Sequence, residues 1–234
     1  MRSFFIILTA AIFSSNLYSQ NISDSRDISN VDVESTDYSR LGIQARGAFF
    51  GIATNDFDVQ SSTGLLAGFT SRSRIFENFK LIYGVDFLIA SIGVESRALG
   101  QTTLEQAEFS VTGAQVNGIL SYDILDQFLT VNFGPSLLIN GPLRVRNDGQ
   151  RDNIINGFNS LTAQDLLQIS RITPFLVGGV EGGWKKVRLT LQYQFGFTNI
   201  LGRLNREDLQ DIDASVGEFN GNATLFSAGV VVYL

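Results

Sequence analysis

The chain has 234 residues, a formal net charge of -6, 23 glycines, 19 phenylalanines, and no cysteine or histidine. Disulfides, thiolate or imidazole metal sites and every catalytic relay built on Cys or His are therefore excluded. An acidic chain without a Lys/Arg cluster offers no nucleic-acid surface, and 17% charged residues is sparse for a soluble exterior.

The first twenty residues, MRSFFIILTAAIFSSNLYSQ, join a basic start to an apolar run from Phe4 to Phe13 and then to small polar residues. This pattern predicts an export signal over residues 1–19, too short to cross a bilayer as a helix. With no Cys after it, a lipid-anchored lipoprotein is excluded. From Asn21 to Arg40, five acidic residues (Asp24, Asp27, Asp32, Glu34, Asp37) stand against Arg26 and Arg40 with few apolar neighbours. Residues 20–40 are expected to be a flexible periplasmic leader.

After Leu41 strand signals recur to the last residue. Eight are expected: Leu41–Ala53, Gly64–Arg74, Asn78–Val94, Glu108–Tyr122, Gln127–Ile139, Ser170–Gly183, Lys186–Asn199 and Ala223–Leu234. Short connections (IFEN, DILD, WKK) alternate with longer ones, above all Asn140–Ile169 and Ile200–Asn222. Short turns on one side and long loops on the other are the layout of a membrane barrel. The loops carry two weak helix starts: Thr162 with Asp165 between Leu161 and Leu166, and Asn205 with Asp208 between Leu204 and Leu209.

Val187–Thr198, VRLTLQYQFGFT, alternates strictly between bulky apolar and polar residues. Either an apolar-cored lipocalin-like barrel binding an apolar ligand or a lipid-facing barrel would alternate so. Bulk decides: rows such as Phe79, Leu81, Tyr83, Val85, Phe87, Ile89 would overfill a small interior. The fold expected for residues 41–234 is thus all-β, an eight-stranded antiparallel up-and-down transmembrane β-barrel. Its polar parity, with Gly in many remaining positions, points inward. Arg46, Arg72, Lys80 and Arg188, set against Asp86 and Glu181 with Gln192 nearby, are expected to form a lumen polar network. Tyr122, Trp184, Phe197 and Phe226 are expected near strand ends as an interfacial girdle. In the fourth strand Phe109 and Val111 lie on one parity while Val116, Leu120 and Tyr122 lie on the other, which predicts a bulge near Gly113.

The chain ends SAGVVVYL. Gly229, Val232 and Leu234 are similar to the C-terminal insertion signal by which bacterial outer-membrane barrels are recognised, with Leu where an aromatic is usual. With the export signal and the eight strands, the chain resembles the small outer-membrane β-barrel domain family of Bacteroidetes, called PorT-like, over Leu41–Leu234. The resemblance implies localisation in the bacterial outer membrane, contact with outer-membrane lipid and the barrel-insertion machinery, and loops that serve either in binding or as part of an envelope or secretion assembly; no residue of this chain carries over the secretion role of some relatives.

Chemistry is sparse. Asp86 and Glu181 could act together only if they approached one another, and a salt-linked interior is the simpler role for both. The run EDLQDID lacks the spacing and the Gly of a calcium loop and is expected to be a solvated acidic loop. The expectation is a non-enzymatic barrel with a filled lumen and no cofactor or metal, presenting extracellular loops to a protein or surface ligand.

Overall fold

The computed structural model describes residues 39–125 and 128–234. Among the described residues ten strands occur in chain order: β1 (Ser39–Thr54), β2 (Val59–Phe76), β3 (Phe79–Arg97), β4 (Leu104–Leu125), β5 (Leu129–Asn140), β6 (Arg144–Val145), β7 (Ile154–Ile155), β8 (Ile172–Gly183), β9 (Val187–Asn199) and β10 (Gly221–Tyr233). The eight long ones pair antiparallel with their neighbours, β5 with β8 across the long connection. The ring closes where β10 meets β1, from Gly42 opposite Tyr233 to Thr54 opposite Gly221. This is the expected eight-stranded up-and-down barrel, and closure leaves no long strand with an open edge. The expected export signal and leader fall outside the described residues, except that Ser39 and Arg40 already belong to β1.

Register places the parities. On β9, Val187, Leu189, Leu191, Tyr193, Phe195 and Phe197 are exposed, Leu189 by 66%, while Arg188 is exposed by 1% and Thr190 and Gln194 are buried. The same holds for Phe79 to Ile89 on β3 and for Val131, Phe133, Leu137 and Ile139 on β5. A soluble protein rarely exposes a contiguous apolar patch larger than a few hundred Å², yet here the apolar rows run around the ring. Each spans about the 9–11 residues that a tilted strand needs to cross the hydrocarbon layer. The outward face is therefore a lipid face, and the lipocalin-like alternative has its faces reversed.

The faces exchange character toward the loop end. On β3 the outward positions turn polar after Ile89 (Ser91, Glu95), while from Leu88 onward the inward ones are apolar (Leu88, Ala90, Ile92, Val94). On β4 the outward series Thr112, Ser110, Glu108 is polar, and Val111, Phe109 and Ala107 are buried inward. Pairing of β4 with β3 runs unbroken from Tyr122 to Leu104, so no bulge interrupts Gly113. Phe109 and Val111 share the inward parity of Gln115; the environment switches there, and the register does not. Beyond the lipid, a strand wall needs water outside and an apolar core inside, as in any soluble β-sheet. The strands accordingly extend past the expected limits, β2 starting at Val59 and β4 at Leu104.

Of the expected girdle aromatics, Trp184 lies in the β8–β9 turn, Tyr122 near the turn end of β4 with its ring 5.0 Å from that of Phe79, and Phe197 at the loop end of β9. Phe226 lies farther inside β10, 6.5 Å from the Phe49 ring.

Candidate functional site

Two layers of side chains occupy the inside of the ring. The layer toward the short turns is charged. Arg46, exposed by 2%, donates through Nη2 to Asp86 Oδ2 and through Nη1 to Gln192 Oε1. Asp86 also accepts from Gln44 Nε2 at 2.7 Å and from Asn117 Nδ2 at 2.7 Å. Glu181 receives two cations, Arg72 and Arg188, the latter at 2.5 Å. The Arg72 guanidinium lies 4.3 Å from the Tyr233 ring centroid, adding a cation–π contact. Glycine makes the room: a Cβ at Gly229 would stand 2.1 Å from Ala45 O and 2.8 Å from Arg46 Cγ, and one at Gly68 2.7 Å from Asp86 Oδ1.

The structure thus brings Arg46, Asp86 and Gln192 into one cluster and Arg72, Glu181 and Arg188 into another. Lys80 joins neither Asp86 nor Glu181; its Nζ bonds Asp123 at 2.7 Å. Asp123 lies within β4, which runs three residues beyond its expected end and so carries an inward carboxylate where a turn is expected. Asp86 and Glu181 each accept from a separate set of donors. Of the terminal signal residues, Val232 and Leu234 face lipid, while Gly229 pairs between Arg46 on β1 and Thr190 on β9.

The second layer is apolar and is completed by the loops. Residues 141–171 add β6, which extends along β4, and β7, which extends along β3. Leu143, Ile155, Phe158, Leu161 and Leu166 from this loop, and Leu201, Leu204, Leu209 and Phe219 from residues 200–220, join Phe50, Leu88, Phe109 and Phe175 from the strands in one buried cluster. Phe219 touches Phe57 edge-on with ring centroids 5.9 Å apart and Phe158 at 6.0 Å. Its backbone is fixed by Asn205, which accepts from Phe219 N and donates to Phe219 O. The long loops are consequently a packed cap over the barrel mouth.

The expected capping box at Thr162 and Asp165 is present, on a 3-10 turn over Ala163–Leu166 with Leu161 and Leu166 buried. The expected pairing of Asn205 with Asp208 is not: Asn205 lies inside a 3-10 turn (Leu204–Arg206) and serves Phe219, while Asp208 precedes the single turn α1 (Leu209–Ile212). In the EDLQDID run Glu207, Asp208 and Asp211 are exposed, but Asp213 turns inward. It accepts from Asn159 N and Ser160 N at 2.6 and 2.7 Å through one oxygen and from Ser215 N and Oγ through the other, which ties the two loops together. These donors, the Ser215 hydroxyl first and then the backbone N–H groups of Ser160 and Ser215, hold the carboxyl well below the usual carboxylate range. No group of three or more acidic side chains positioned to hold a metal occurs among the described residues.

A closed antiparallel ring with an apolar exterior, buried ion pairs at one end and long loops at the other defines an outer-membrane β-barrel. No protein-family model matches the chain, and no curated protein is significantly similar to it. Among solved structures, Neisserial surface protein A is similar at 18% identity and TM-score 0.47, covering 82% of this chain and 96% of its own. The outer membrane protein OprG of Pseudomonas aeruginosa aligns at 12% identity and TM-score 0.43, covering 84% and 96%. The translocator domain of the autotransporter NalP from Neisseria meningitidis aligns at 12% identity and TM-score 0.30, covering 98% and 95%.

Asp86→Ala is expected to lower stability by about 3–5 kcal/mol, because it leaves Arg46 buried without its carboxylate. Urea unfolding in lipid vesicles measures this, and Arg46→Met combined with Asp86→Leu should recover most of the loss. Asp213 yields a pH signature. Its folded pKa lies below the unfolded value of about 3.9, so its stabilisation of the cap is complete above that value and lost as pH falls through and below 4. Protease nicking of residues 200–220 should stay constant from pH 7 to 5 and rise steeply toward pH 3. Asp213→Asn should nick faster at pH 7 and respond less to acid.

Proposed function

We propose that the chain is a non-enzymatic outer-membrane anchor whose filled barrel carries a folded loop platform at the cell surface. The observation that supports this most is the cap: Phe219 and its neighbours pack into the barrel mouth, so the loops hold a defined shape instead of trailing. An eight-stranded ring is just wide enough for side chains to fill. The ion-paired layer below and the apolar layer above leave the lumen closed to diffusion, and the platform binds a protein or surface ligand. Its family is the PorT-like outer-membrane barrels of Bacteroidetes, a reading supported by the export signal, the strand count and the terminal Gly229, Val232 and Leu234. Membrane lipid and the barrel-insertion machinery are its other partners.

Because the loops also supply core, the informative experiment spares their buried residues. Replacing the solvent-facing Gln164, Asp211, Ile212 and Glu218 together, with Phe158, Leu161, Leu204 and Phe219 retained, should leave a membrane-inserted barrel that no longer complements a deletion strain. The same barrel should show no conductance steps in a planar bilayer. Full complementation by this variant, or steady channel openings from the unaltered protein, contradicts the proposal.

A further inference from the structure

We infer that a groove at the lipid-facing rim of the loop end binds the phosphate of an outer-leaflet glycolipid headgroup; the inference rests on the outer-membrane reading above. The groove has a volume of about 790 Å³ and is lined by Arg171, Arg203 and Arg206 together with Ser170, Ile172 and Glu207. This is within the usual range for ligand sites.

Three arginines around one groove run against the composition of this acidic chain. The loop of residues 200–220 carries five carboxylates, Glu207, Asp208, Asp211, Asp213 and Glu218, yet only Glu207 lines the groove. Asp213 is committed to the cap. Among the described residues none of the three arginines forms a salt bridge, whereas Arg46, Arg72 and Arg188 are each paired with a carboxylate. Local structure brings two of them together. Leu204, fully buried, pins the 3-10 turn, and Arg206 N bonds Arg203 O at 3.1 Å. Residues three apart eclipse in that geometry, so Arg203 and Arg206 project on one side.

Position selects a lipid over a free anion. Ile172 is a lipid-facing residue, 59% exposed, and is the ladder partner of Ile139, which ends the apolar row of β5. On β4 the partner of Ile139 is Ala114, beyond which Thr112 begins the polar outer surface. The groove therefore opens where hydrocarbon gives way to headgroups, with one apolar wall from Ile172 and guanidinium forks above it. Such forks match phosphate oxygens bidentately. A free phosphate would make no use of the apolar wall.

The test is native mass spectrometry of the full chain in detergent, titrated with a bisphosphorylated disaccharide glycolipid, its dephosphorylated counterpart and inorganic phosphate as competitor. Wild-type protein should retain the phosphorylated lipid at least tenfold better than R171A/R203A/R206A, and E207Q should retain it a few-fold better than wild type. The dephosphorylated lipid should bind wild type no better than the phosphorylated lipid binds the triple variant. Circular dichroism confirms that the variant folds; if it does not, R203Q/R206Q carries the same expectation. Equal retention by variant and wild type, equal retention of the two lipids, or full displacement of the lipid by millimolar inorganic phosphate overturns the groove assignment. In those cases a membrane-inserted wild-type chain leaves the outer-membrane reading intact; a wild-type chain that never enters membrane overturns both.

Discussion

Arg46 can stay inside the barrel only because Asp86 meets it there. An isolated ion taken from water costs several kcal/mol, and attraction between partners offsets this only when geometry is good and the remaining lone pairs are used. Asp86 meets that requirement by accepting from Gln44, Asn117 and Arg46 at once. Much else follows from housing this pair. Gly68 and Gly229 are bare because a Cβ would strike the facing strand's backbone, at Val85 O or Ala45 O, as well as Asp86 or Arg46. Gln44, Arg46 and Asp86 occupy the inward parity of their strands, so the bulky apolar residues of those strands must face out. A polar inside and an apolar outside are one constraint seen from two faces.

That constraint holds only as far as the lipid extends. Beyond Ile89 on β3 and Ala114 on β4 the outer surface is polar, and the interior changes to Leu88, Ile92, Phe109 and their neighbours. An open apolar mouth would be wetted, so the loops must close it. They do so with Phe158, Leu161, Leu204 and Phe219, and Asp213 clamps one loop to the other through backbone donors. The molecule is thus built like a membrane protein at the turn end and like a soluble one at the loop end, on the same continuous strands.

The period-2 alternation made most of this legible before any coordinates. Strand number, parity and most strand limits follow from residues such as those of Val187–Thr198, and the bulk of the apolar parity then decides which face meets lipid. What alternation hides is an exchange of environments at constant register. Phe109 and Val111 look like a slipped strand, and only the pairing of β4 with β3 shows that the surroundings changed instead. Lys80 likewise could not be matched to Asp123 from sequence, because the end of β4 is set by pairing with β5, Asp123 opposite Thr130, and not by a local signal. In the loops, the buried leucines were visible as helix staples, but nothing local reveals that they pack into the barrel or that Asn205 serves Phe219.

The central claim is that the charged parity faces in and the apolar parity faces lipid. Expression with the native N-terminus, separation of membrane fractions, and comparison of boiled with unboiled samples on a detergent gel tests it most directly. A chain found in the outer-membrane fraction, whose unboiled form migrates as a compact species distinct from the boiled one, is the result these faces require. A chain that is soluble without detergent, with the same mobility before and after boiling, would mean that the faces are assigned inside-out.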